Sequence, residues 1–421
     1  MQDGKMISYI ILIVCVQGSV LTISVIYPHP HKLLSISIPE NRALKRSLGF
    51  IEDTYYNFTE LANKYGHETE EYEVTTDDGY LLTIFRIKTK CVTPRPYPIV
   101  LLHGIMDSAD AWILAGPELG LGYILANNCY DVWAANHRGN QYSRKHIKLN
   151  PNTDFEFWNY SIDEHGYYDL PAIVDHVLNA SNKEKVYFIG HSQGTTDFFI
   201  MTSIRPEYNN KIHLSIQLAP VAYLKHLKIP LANFAAKQTE LIKNILDDIS
   251  LQELLGKYEI IHPVLEQLCQ VAPVPLCEFI LQLTTGYKDG ISPRTLSVAF
   301  GHLVVGVSAK TLSHFGQLIQ SKKFQRYDEG REINLQKYGS ENPPEYNVSK
   351  ITSAVLLMCS KNDLLSSLEN VNELSSRLPN LVEEYVVQDK SWSHHNFLWG
   401  IKAPEYVFNK ILGYLKKYDQ I

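Results

Sequence analysis

Ser192 stands between two glycines, in Gly190-His191-Ser192-Gln193-Gly194, where an apolar and aromatic run from Val186 ends. The segment that follows, Asp197 to Ile204, can be helical. Strand, sharp turn and helix with a serine at the apex hold a hydroxyl clear of its neighbours for attack. A hydroxyl is a weak nucleophile at neutral pH. It needs a base beside it and N–H donors for the oxyanion it creates. Two later segments carry groups for that base. Ser360-Lys361-Asn362-Asp363 follows an apolar run, and Trp392-Ser393-His394-His395-Asn396-Phe397 holds adjacent histidines. Asp363 is suited to orient an imidazole, and His394 to act as general base and then acid. Asp363 read alone is equally a turn or helix-capping residue. Adjacent loop residues rarely point the same way, so only one of His394 and His395 reaches Ser192, and spacing does not choose between them. Gln193, the residue after the nucleophile, offers one oxyanion N–H; Ile105, after His103-Gly104, offers the second. His103 reads as a structural turn residue, and Arg138 and Asn140 as architectural.

These groups need a scaffold, and the pattern around them describes one. Glu71 to Thr76 and Tyr80 to Lys88 alternate about an Asp77-Asp78-Gly79 turn, which predicts a β-hairpin. Ile99 to Leu102, Tyr130 to Ala135, Leu214 to Leu218, Ala354 to Cys359 and Glu384 to Gln388 read as further strands. Asp169-Leu170-Pro171 predicts a helix start, with Asp169 as its cap. Strands alternating with helices predict a mostly parallel sheet covered on both faces. In such a sheet functional groups gather on loops at the carboxyl ends of strands. The chain order Ser, Asp, His is that of an α/β-hydrolase triad.

The strand series breaks between residues 221 and 349, which predicts a helical cap inserted into a core of residues 50–220 and 350–421. Within it, Tyr258 to Tyr287 has three charged residues, Glu259, Glu266 and Glu278, among many aliphatic ones. It reads either as a buried cap core or as a lid whose apolar face meets lipid.

The bulk numbers are those of a globular protein: 421 residues, 45% hydrophobic and 20% charged. A formal net charge of −6 excludes a basic field for nucleic acid. Lys5 before the apolar run Met6 to Val16, then Gln17-Gly18-Ser19, reads as a signal peptide over residues 1–19, with a signal anchor as the alternative. No later stretch is long and apolar enough to span a bilayer. Asn57, Asn159, Asn179 and Asn347 lie in glycosylation sequons, in keeping with a secreted protein. Cys269 and Cys277 are close enough to staple a short loop, Cys91 and Cys129 remain unassigned, and Cys359 reads as a buried thiol. No cysteine or histidine spacing suggests zinc, and no cofactor is expected.

The chain resembles the acid lipases, the gastric, lingual and lysosomal group with its insect relatives. The likeness runs from Asn57 to Leu415. It rests on Leu102-His103-Gly104-Ile105, Tyr130-Asp131-Val132-Trp133, Asn136-His137-Arg138-Gly139-Asn140, Tyr168-Asp169-Leu170-Pro171, Gly190-His191-Ser192-Gln193-Gly194-Thr195, Asn362-Asp363-Leu364 and Phe397-Leu398-Trp399-Gly400. The resemblance implies an α/β-hydrolase fold with Ser192, Asp363 and His394 as triad and Ile105 and Gln193 as oxyanion hole. It selects His394 over His395, because the family's histidine stands three residues before the phenylalanine matched by Phe397. It implies a Cys269–Cys277 pair in the cap and a lipid ester substrate, acylglycerols foremost, met at a lipid–water interface. The expected location is extracellular, with the lysosome as alternative. Asn396 replaces the family's aspartate. A catalytically silent lipid carrier on the same fold is the competing expectation.

Overall fold

Alternation along the central strands sends side chains into two cores, one on each face of a single sheet. Ile99 and Leu101 join one cluster, Val100 and Leu102 the other; Tyr187 and Ile189 likewise oppose Val186 and Phe188. This is a computed structural model, and it describes residues 9–16, 19–26, 42–47, 49–248, 251–254, 256, 269 and 276–421.

The main sheet has eight strands: β1 (Thr69–Thr75), β2 (Leu81–Ile87), β3 (Ile99–Leu102), β4 (Val132–Ala135), β5 (Val186–His191), β6 (Ile212–Leu218), β7 (Val355–Ser360) and β8 (Leu381–Val387). Their spatial order is β1-β2-β4-β3-β5-β6-β7-β8. The pairs β1/β2 and β2/β4 are antiparallel. Every pair from β4 to β8 is parallel. β3, β4, β5 and β7 are buried along their whole length, which is why their sequences are apolar up to the terminal His191 of β5 and Ser360 of β7.

One expectation needs correction, and one open point is answered. Asp169 makes no cap hydrogen bond to the helix Leu170–Ser181. A π-helical turn over His165–Asp169 runs straight into that helix, so Asp169 is already helical and its carboxylate is spent on Arg138. The second concerns cysteines: Cys91 and Cys129, 38 residues apart, are disulfide-bonded. Cys91 follows β2 and Cys129 precedes β4, and those strands are sheet neighbours. Adjacency in the sheet, invisible in the spacing, makes the pair. Cys269 and Cys277 are also bonded, and Cys359 is a buried free thiol.

Between β6 and β7 the described residues form helices, chief among them Pro230–Ala236, Thr239–Asp248, Pro293–His302 and Ala309–Ser321. The two-residue strands Glu253–Leu254 and Val307–Ser308 pair with each other, outside the main sheet. Most of the apolar stretch expected to be a lid, 258–268 and 270–275, lies outside the described residues. Of the expected lid's described part, Phe279 and Leu283 are exposed, and further exposed apolar side chains lie on the first two helices: Leu231, Phe234, Leu241, Ile242 and Ile245. At the N-terminus Tyr9–Val16 pairs antiparallel with Ser19–Ile26; Gly18, where cleavage is expected, is outside the described residues.

Candidate active site

β5 ends at His191, and Ser192 follows with φ 53° and ψ −119°, ahead of the helix Gln193–Ile204. A non-glycine residue held there is strained by about 1–3 kcal/mol, so the surroundings must enforce it. Ser192 N–H donates to Leu218 O at 3.1 Å, tying the elbow to β6. Gly194 is required by close approach: a Cβ there would lie 2.3 Å from Leu102 O at the end of β3. The loop after β3 also passes close, since a Cβ on Gly104 would lie 3.1 Å from Ser192 Cβ.

Asp363 sits in the loop after β7, 1% exposed. Its Oδ1 accepts from Leu365 and Ser366 N–H, both at 2.9 Å, which locks the carboxylate. Its Oδ2 meets His394 Nδ1 at 2.8 Å. His394 Nε2 is buried without a hydrogen-bond partner. The backbone carbonyl of His394 is in turn bound by His191 Nε2 at 3.0 Å, one residue from the serine. His395 has a different fate: its ring stacks on Trp399 at 4.8 Å and 1°. Burial first, then the neighbouring His394 and His191, drives its basicity down. Asn396 accepts from Ser393 N–H at 3.0 Å and Ser393 Oγ at 2.8 Å, and donates to Asp289 O at 3.0 Å. An amide can do both, so the departure from aspartate leaves the histidine loop clamped.

Ile105 and Gln193 line one small cavity of about 20 Å³, together with His103, His137, His165 and Asn140. Gln193 opens a helix, where first-turn N–H groups have no partner within the helix. The imidazole of His103 bridges from Gly104 O at 2.8 Å to His137 N–H at 3.3 Å and Asn140 Nδ2 at 3.1 Å. Nε2 accepts both, so Nδ1 carries the proton. Burial keeps this ring neutral. Arg138 is 2% exposed and binds Asp78 and Asp169 bidentately, with Nη1 to Asp78 Oδ2 at 2.6 Å and Nε to Asp169 Oδ1 at 2.8 Å. It ties the hairpin turn to the start of the helix Leu170–Ser181. The four sequon asparagines, Asn57, Asn159, Asn179 and Asn347, are all exposed.

Sequence reasoning missed His137, His165 and Asp197, which come together behind Gln193. No spacing signal could have found them, because three separate elements supply them.

Fold and elbow together define an α/β hydrolase. The model of the α/β hydrolase fold matches residues 97–228, and that of the partial α/β-hydrolase lipase region matches residues 58–116. Lipase 1 of Drosophila melanogaster is 35% identical over 381 residues, covering 90% of this chain and 83% of the relative. The human lysosomal acid lipase/cholesteryl ester hydrolase is 33% identical over 378 residues, covering 87% and 92%. Among solved structures, a Sulfolobus solfataricus protein described as a candidate lipase has a TM-score of 0.57 at 12% identity, covering 83% and 94%, and shares the fold. The chain belongs to the acid lipase family, ester-hydrolysing enzymes of the α/β-hydrolase fold.

Proposed function

We propose that this enzyme hydrolyses lipid esters, acylglycerols among them, through Ser192, His394 and Asp363, with Ile105 and Gln193 as oxyanion donors. The observation that carries the reading is the 2.8 Å bond from His394 Nδ1 to Asp363 Oδ2, with Nε2 left free on the loop that His191 holds beside the serine.

In the reaction, Ser192 Oγ attacks the ester carbonyl carbon as His394 Nε2 takes its proton. Asp363 stabilises the imidazolium and holds its orientation. Negative charge on the former carbonyl oxygen meets the two backbone N–H groups, each worth roughly a hundredfold to a thousandfold in rate. Collapse expels the alcohol, which takes its proton from His394, and leaves an acyl-enzyme. Water, deprotonated by the same imidazole, attacks the acyl carbon, and the fatty acid departs as Ser192 regains its proton. His394 Nε2 makes no hydrogen bond to Ser192 in the free enzyme; contact forms as substrate closes the site.

Residues 221–349 act as a cap over this site, and the exposed apolar residues on Pro230–Ala236 and Thr239–Asp248 meet the lipid surface. Residues 1–19 direct secretion, and the two disulfides and the exposed sequons suit an oxidising, glycosylating route.

The test is hydrolysis of a short-chain nitrophenyl ester and of a triolein emulsion. Wild type turns over both, and Ser192→Ala removes both. Wild-type turnover by that variant, or stoichiometric lipid binding with no fluorophosphonate labelling of Ser192, overturns the reading.

A further inference from the structure

His137, His165 and Asp197 are fully interior, and their ligand-capable atoms all lie within 4.8 Å of one another. Among the described residues they are the one trio of its kind. They come from three places: the turn after β4, the π-helical turn before Leu170–Ser181, and the nucleophile helix. None takes part in the chemistry above.

The trio is poorly satisfied as it stands. Asp197 Oδ1 and Oδ2, His137 Nε2 and His165 Nε2 are buried without a hydrogen-bond partner, and so is the adjacent Gln193 Oε1. A buried carboxylate without a hydrogen-bonded or cationic partner is costly. The guanidinium of Arg138, the nearby buried cation, is committed to Asp78 and Asp169. His137 Nε2 and Asp197 Oδ2 approach to 2.6 Å, yet without hydrogen-bond alignment. His165 Nδ1 lies 4.0 Å from Asp197 Oδ1. Two atoms bound tetrahedrally to one zinc ion at roughly 2.1 Å stand about 3.4 Å apart, so the 2.6 Å and 4.0 Å separations bracket that spacing and the side chains must shift to close on an ion. A cavity of about 20 Å³, with room for one ion or one water, is lined by His137, His165 and Gln193 but not by Asp197.

We propose that His137 Nε2, His165 Nδ1 and the Asp197 carboxylate bind a structural divalent transition-metal ion, zinc by ligand type, behind the oxyanion hole. Two imidazoles and a carboxylate are a ligand set for zinc, and four-coordination leaves one position for Gln193 Oε1 or a water. Gln193 Nε2 now donates to His165 Nδ1 at 2.8 Å. Rotating that amide frees the nitrogen and turns Oε1 toward the ion. The ion would fix Gln193, whose backbone N–H faces the oxyanion, to the turn after β4. Affinity is gained on folding, since the site closes only in the folded chain.

The test uses the untagged full chain, made in zinc-supplemented medium and dialysed against metal-free buffer. Elemental mass spectrometry should find about one equivalent of zinc in wild type and in Ser192→Ala. It should find little in Asp197→Asn and His165→Gln whose circular dichroism matches wild type. Chain refolded with Co²⁺ should show the strong visible absorption of a four-coordinate site. Wild type that folds without metal and gives no such absorption overturns the proposal, an ordered water then filling the cavity. One equivalent retained in both variants overturns it too, by placing the metal elsewhere. The metal readout does not depend on Ser192, so failure of the triad assignment would show separately.

Discussion

At the residue scale, the histidine pair shows what neighbours do to identical side chains. His394 is bonded to a carboxylate that two backbone N–H groups already hold. His395, one position on, lies flat against Trp399. Asp363→Asn should therefore lower kcat by about 10⁴-fold, because the amide favours the wrong tautomer. His395→Phe should retain the stack and cost less than tenfold. Steady-state kinetics on a soluble nitrophenyl ester checks both; equal losses would mean that His395 shares the proton transfer. The spacing of His394 and His395 left the choice open, and the family resemblance selected His394. The physical cause, one carboxylate within reach of one ring, appears only when β7 and the loop after β8 lie side by side.

At the scale of elements, the loop after β3 carries an unusual acid. Burial, reinforced by the charge of Asp110, pushes the Asp107 carboxyl up to about 8, against the bond from Ser108 N–H. The native loop thus keeps a proton that the unfolded chain releases near its ordinary value of 3.8. Between those two values the unfolded state binds fewer protons, so this group's contribution to stability falls as pH rises. Asp107→Asn keeps the shape and has no proton to lose. Its urea midpoint should gain on wild type as pH goes from about 5 to about 8, and a constant difference would refute the shift. The buried histidines act oppositely. Burial lowers His137 to about 3, so its neutral form costs stability as pH falls below its ordinary value of 6.5. Hairpin, strands and turn chemistry were legible in the alternation of Glu71 to Lys88 and in the apolar run Ile99 to Leu102. The Asp169 cap was not, because its carboxylate serves an arginine 31 residues away, which outweighs local capping.

For the molecule as a whole, the helices Pro230–Ala236 and Thr239–Asp248 carry several of the exposed large hydrophobic side chains among the described residues. Leu231 is 68% and Phe234 66% exposed. Singly exposed hydrophobics are ordinary, but five on consecutive helices form a surface with something to meet. Leu231→Ser with Phe234→Ser should lower turnover of emulsified triolein several-fold and leave the soluble ester near wild type. Parallel assays on the two substrates check this, and equal effects on both would show that the helices serve the site and not the interface.

Local chemistry by itself determined much of this protein. Period-two alternation marked the strands and two glycines around Ser192 marked the elbow, since each depends on near neighbours in the chain, while the chain order of a serine, an aspartate and a histidine pointed to the class of reaction. Only the tertiary structure decided which cysteines pair across β2 and β4, which histidine meets Asp363, and that His137, His165 and Asp197 come together in the interior. Those depend on where the sheet order and the helices bring distant residues, and no spacing along a chain encodes a distance through its core.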